Sequence, residues 1–272
     1  MTGMIARSSW LALFWMGHIS FAWAGAFERD FVVVYVDTKT EARFGAIPLN
    51  RGVLAQGVDA IADAGARGLV LKFFLDQPKL ADDDERLARA LSRLPTVLQA
   101  RMDDAESKPN PLPQQFTLQG EFNAAVVGQS GWLPLPVFMQ RAKDIGFVDF
   151  NSSSVPMIEQ YQSRAVKSLM LCAMELAAGT KATISPGRQI EIGQQVIALN
   201  PQNLATVNLI APPVQHSVSF SALLDGSARA ALKGKVVILA YDGPHIEQFD
   251  TSLGAMGAHR YFVNILRSLY GR

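Results

Sequence analysis

The residues with the greatest chemical reach in this sequence stand directly after its most apolar runs. Asp37, Thr38 and Lys39 follow Phe31 to Val36, Asp76 follows Leu69 to Leu75, and Asp242, His245 and Asp250 follow Val236 to Tyr241. Carboxylates, a hydroxyl, an ammonium and an imidazole together can hold a polar small molecule. Open parallel sheets bind ligands at the carboxyl ends of their strands, so these residues form a candidate ligand site. The competing reading makes them capping and turn residues, since Asp and Thr favour helix starts and Asp242-Gly243-Pro244 is turn chemistry. His245 likewise reads either as a partner of Asp250 in a site or as a surface neighbour of Asp242 in a turn.

No stronger catalytic pattern stands out. Gly128-Gln129-Ser130-Gly131-Trp132 lacks the last glycine of a serine-hydrolase elbow, and proline-rich sequence follows it instead of a helix. His18, His216, His245 and His259 show no metal-ligand spacing, and no glycine-rich phosphate loop follows Asp37. Asp82-Asp83-Asp84 suits a helix start better than a metal site, because adjacent helical residues point in different directions. No metal, cofactor or catalytic residue is therefore expected.

The elements that must position these residues follow from periodicity. Phe31 to Val36 and Val236 to Tyr241 are continuous apolar runs rich in β-branched residues, as in strands buried on both faces. Leu69 to Leu75 is another strand, with Lys72 set oddly inside it, and Thr96 to Ala100 a further one. Helices are expected from Arg51 to Ala64, after Asp82, from Ser163 to Ala178 and from Gly257 to Tyr270. In the last, Phe262, Ile265, Leu266 and Leu269 form one stripe, with Arg260, Asn264, Arg267 and Ser268 turned away. Shorter strands are expected at Phe116–Leu118, Ala124–Gly128, Gly146–Phe150 and Ala205–Ile210, and a turn at Asn151–Ser154. Ile190 to Leu199 reads as a small β-hairpin inserted outside the main sheet. The expected fold is α/β with three layers: a mainly parallel (mixed) sheet with helices on both faces.

The chain has 272 residues, 49% of them hydrophobic, and a net charge of +1 from 25 basic and 24 acidic residues, with no block of like charge. That argues against a nucleic-acid partner and a polybasic membrane patch. Met1 to Ser9 carries Arg7 and no acid, Trp10 to Ala24 is mostly apolar, and Ala22-Trp23-Ala24 fits a cleavage site. This is the layout of a signal peptide over residues 1–24, which implies a periplasmic or secreted domain over 25–272. The stretch is shorter than the roughly 20 residues of a spanning helix; an uncleaved N-terminal anchor facing the periplasm is the alternative. Cys172 is the lone cysteine, so no internal disulfide is available, and it reads as a packed apolar residue.

In their order, these motifs resemble the type-two CHASE domain, a sensory domain found outside the membrane in bacterial cyclases, histidine kinases, serine/threonine kinases and diguanylate cyclases. Val34-Tyr35-Val36-Asp37 with Thr40 resembles its opening strand, and Gly45, Pro48 and Arg51 its glycine, tryptophan-proline and arginine stretch. Ala62 to Gly68 is similar to its crossover end, Asp84 to Leu91 to its helix after an acid, and Gly146-Phe147-Val148 to an inner strand. Lys233 to Leu239 resembles its closing strand, and Asp250, Thr251, Gly254 and Gly257 the spacing before its last helix. The likeness spans nearly all of Phe31 to Tyr270. Ile47 and Leu49 replace two tryptophans, Lys72 stands where an acid is usual, Ala240 replaces a glycine, and an aspartate-glycine-x-x-arginine segment is missing around Asn151 to Glu159.

The resemblance implies an extracytoplasmic sensory domain without catalysis of its own. Family members usually continue into membrane helices and an output domain, and nothing follows Arg272. The expectation is therefore signalling through a separate membrane-bound signalling protein. A periplasmic small-molecule binding protein is the alternative, and a hydrolase-type enzyme a more distant one.

Overall fold

The computed structural model describes residues 25–149, 154–210 and 217–270. The leader-like stretch, His216 and most of the turn at Asn151–Ser154 lie outside the described residues.

Six strands form one sheet in the spatial order Ser217–Ser219, Phe31–Asp37, Val236–Asp242, Gly68–Leu71, Thr96–Ala100 and Asp144–Phe147, and every pairing in it is parallel. The two runs expected to be most buried lie side by side at its centre. Their register pairs Phe31 with Val236 and carries through to Asp37 with Asp242. Successive side chains on a strand point to opposite faces, so both faces of these β-branched strands need cover.

One face packs Val34, Leu71 and Leu239 against the helices Arg51–Asp63, Ala81–Leu91 and Phe220–Leu224. The other packs Val33, Val70 and Ile238 against Leu169–Ala178 and Ala258–Leu269. The three layers are those expected. Antiparallel pairing is confined to smaller sheets, among them the hairpin Gln189–Ile192 and Gln195–Ala198, which Thr183–Ser185 extends.

Two of the glycines let a helix pack closely on its neighbour. A Cβ on Gly146 would sit 2.5 Å from Leu169 Cα, so the helix Leu169–Ala178 meets the edge strand backbone to backbone. A Cβ on Gly57 would sit 2.1 Å from the Phe220 ring, which lies against the helix Arg51–Asp63. Cys172 is buried in the Leu169–Ala178 helix, and burial pushes its thiol up.

Three local expectations are corrected. Ser163–Ala178 is not one helix: Arg164–Lys167 is a strand antiparallel to Ile158–Tyr161, and the helix starts only after Ser168. Ser168 ends the strand by capping the helix, its Oγ accepting from Leu171 N at 3.1 Å. The strand expected at Ala205–Ile210 is the shorter Leu204–Thr206, which pairs antiparallel with Ser154–Pro156. Asn264 and Ser268 are buried rather than turned to solvent; the Asn264 amide donates to Met256 Sδ and to Arg260 O, and Ser268 Oγ to Asn264 O. Among the described residues, no helix is long and apolar enough to cross a membrane.

Candidate functional site

The strand ends do gather polar groups, but largely different ones from those that the sequence singles out. Asp37 caps the helix Thr38–Phe44: its carboxylate accepts from Thr40 N at 2.9 Å, Thr40 Oγ1 at 2.8 Å and Ser219 Oγ at 2.9 Å. Burial acts to raise Asp37, but these hydrogen bonds outweigh it and hold the carboxyl below the usual range. Thr38 and Lys39 are exposed in that helix's first turn. Asp76 is half-buried and accepts from the Gln77 amide at 2.9 Å. Asp242 pairs through both carboxylate oxygens with Arg260, whose guanidinium also lies over the Tyr35 ring. Asp250 is exposed in the hairpin Gln248–Thr251 and Gly254–Gly257, opposite Ala255. Of these candidates His245 alone lines the cavity at the carboxyl ends of the main-sheet strands.

That cavity holds about 490 Å³ and opens at the carboxyl ends of Gly68–Leu71, Thr96–Ala100 and Val236–Asp242, where Lys72, Gln99 and Tyr241 line it. Its apolar wall includes Phe73, Phe74, Val148, Ile246 and Phe249. The polar groups at its inner end are Lys72, Gln99 and His259; Asp149, His245 and Glu247 are exposed at its mouth.

Sheet geometry places the inner groups. Lys72 prolongs its strand by donating its backbone N–H to Leu239 O at 2.9 Å. The period of two puts Lys72 on the same face as Val70 and Gln99 on the same face as Val97, both toward the helix Ala258–Leu269. Lys72 is 4% exposed, its ammonium 3.2 Å from Gln99 Oε1 and 4.7 Å from the Phe262 ring centre. Burial, without a counter-charge in contact, pushes this lysine down to about 7. His259, the second residue of its helix, accepts from Tyr241 N through Nδ1 at 2.9 Å. Burial of its ring, and then the positive charge of Lys72, push it well below its ordinary value. The imidazole is thus neutral, with its proton on Nε2. Tyr241 Oη joins the wall to the cap, accepting from His245 N at 3.2 Å and donating to Glu41 Oε1 at 3.0 Å.

Sequence reasoning missed Lys72, Gln99 and His259 as a group because they lie on separate elements. Lys72 did leave a signal, as a charge inside an apolar strand. The arrangement can hold a polar head at Lys72 and an apolar body along the aromatic wall. Among the described residues, no cluster of histidine, cysteine and carboxylate side chains has the form of a metal centre.

The search of curated proteins and the search of solved structures return no match. The scan against protein families matches the CHASE2 domain over residues 6–270. With nearly the whole chain covered, the chain belongs to the CHASE2 domain family, a family of extracellular sensory domains.

Proposed function

We propose that the chain is a periplasmic sensory domain. It binds a small molecule in the strand-end cavity and passes occupancy to a separate membrane-bound signalling protein, with no catalysis of its own. The observation that carries this reading is the cavity: it joins strands of the main sheet, the hairpin Gln248–Thr251 and Gly254–Gly257 and the helix Ala258–Leu269, and its inner end holds a buried lysine that forms no ion pair among the described residues. A bound molecule that contacts strands and the helix Ala258–Leu269 together can favour one arrangement of them over another, as a sensor requires. The leader directs export and is removed near Ala24.

Crosslinking in intact cells, followed by identification of captured membrane proteins, tests the reading. Ala258→Phe fills the cavity from the start of the last helix. The expected result is a membrane protein with a cytoplasmic output domain, captured to a different extent by wild type and A258F. Equal capture by both chains would contradict a sensory cavity. Ligand binding with no such partner would support the carrier reading instead.

A further inference from the structure

We infer that the cavity takes a small monocarboxylic acid with an aromatic or branched apolar body, its carboxylate seated against Lys72, Gln99 and His259. This rests on the sensory reading above and gives the signal a chemical class.

The donors decide the head group. Gln99 Oε1 already accepts from the Lys72 ammonium at 3.2 Å, so what the Gln99 amide offers a ligand is its NH2. His259 Nδ1 is taken by Tyr241 N at 2.9 Å, so the neutral ring offers Nε2–H. With the hydrogens left on Lys72 Nζ, the inner end of the cavity presents three donor groups. A carboxylate accepts through two oxygens and can satisfy them together. It also supplies what Lys72 lacks: among the described residues no carboxylate forms an ion pair with this nearly buried ammonium. A buried charge without a partner is costly, and an incoming anion offsets that cost.

The wall and the mouth decide the rest of the molecule. Phe73, Phe74, Val148, Ile246 and Phe249 make an apolar lining suited to an aromatic or branched body. The volume of about 490 Å³ lies within the range of small-molecule sites. Asp149 and Glu247 at the mouth repel a second negative charge, which disfavours dicarboxylates and phosphate dianions.

The charge of Lys72 sets the proton balance. Among the described residues, the titratable groups lining the cavity with it are His259 on the last helix, Tyr241 on the central strand, Asp149 after the edge strand, and His245 and Glu247 on the loop after the central strand. Below its lowered value near 7, Lys72 is already protonated; at pH 8 it is mostly neutral and must take up a proton to pair with the acid.

Isothermal titration of the purified chain with phenylacetate, its neutral isostere phenylacetamide and succinate tests the assignment, in two buffers of different protonation enthalpy. Phenylacetate is expected to bind at least about tenfold more tightly than either of the others, with close to one proton taken up per ligand at pH 8. Lys72→Met, which removes a buried charge and should fold, is expected to lose at least about tenfold for phenylacetate and nothing for phenylacetamide. Failure of phenylacetate to bind, equal binding of acid and amide, or an unchanged affinity in K72M would overturn the assignment. Equal binding of acid and amide leaves the sensory cavity standing. Equal partner capture by wild type and A258F would instead end the sensory reading while leaving acid binding intact.

Discussion

At the residue scale, two buried ionisable groups make opposite pH predictions. Lys72 loses its proton in the folded chain near 7 but keeps it to about 10 when unfolded. In that window the unfolded state binds more protons, so this residue makes stability rise with pH. Lys72→Met is expected to stabilise the chain by about 2–4 kcal/mol at pH 6, with the gain shrinking toward pH 10; denaturant unfolding across pH checks it, and a gain independent of pH would refute the account. Glu159 is 5% exposed, and burial, followed by the charge of Asp149, pushes it up to about 8. The folded state then binds more protons between roughly pH 4.5 and 8. Its contribution is present below that window and lost as pH rises through it. Glu159→Gln should match wild type near pH 4 and exceed it by about 1–3 kcal/mol at pH 9; thermal unfolding at the two pH values reads the difference. Single residues were the least legible part of the sequence. Capping residues and ligand residues share the same chemistry, so the sequence leaves Asp37 open between the two roles, and only the fold shows its Oδ1 capping a helix at Thr40 and accepting from Ser219.

At the element scale, a buried charge network fastens the edge strand to the helix Leu169–Ala178. Lys167 Nζ contacts Asp144 and lies 2.8 Å from Glu175; the exposed Lys181 reaches the same two acids at 2.8 and 3.2 Å. Burial works against the Lys167 charge, but the carboxylates of Asp144 and Glu175 outweigh it and hold the ammonium charged. Lys167→Met leaves two buried carboxylates with Lys181 as their counter-charge, and should cost about 3–5 kcal/mol in urea unfolding at pH 7. A loss below about 1 kcal/mol would show that Lys181 suffices. Gly146→Ala forces strand and helix apart at their closest approach and should cost about 1–3 kcal/mol, lowering the melting temperature without loss of helical circular dichroism. The central strands were legible because uninterrupted β-branched runs suit burial on both faces. Arg164–Lys167 was hidden because Ala165 and Val166 run into the apolar Leu169–Ala178 segment, and only tertiary pairing with Ile158–Tyr161 separates them.

At the scale of the whole molecule, three layers around a parallel sheet leave the strand ends on one edge, and the hairpin Gln248–Thr251 and Gly254–Gly257 helps to enclose them. The sequence pointed to that edge, since parallel topology follows from strand and helix alternation. It did not reveal the cavity, whose lining joins residues from Ile47 to His259 that only folding brings together. The account's central claim is that this cavity holds a small molecule and leaves it unchanged. Native mass spectrometry of the chain incubated with phenylacetate tests that claim most directly. The account predicts one adduct of unaltered ligand mass per chain, lost in Ala258→Phe. An equal adduct in the filled variant, or a ligand released with a changed mass, would contradict it.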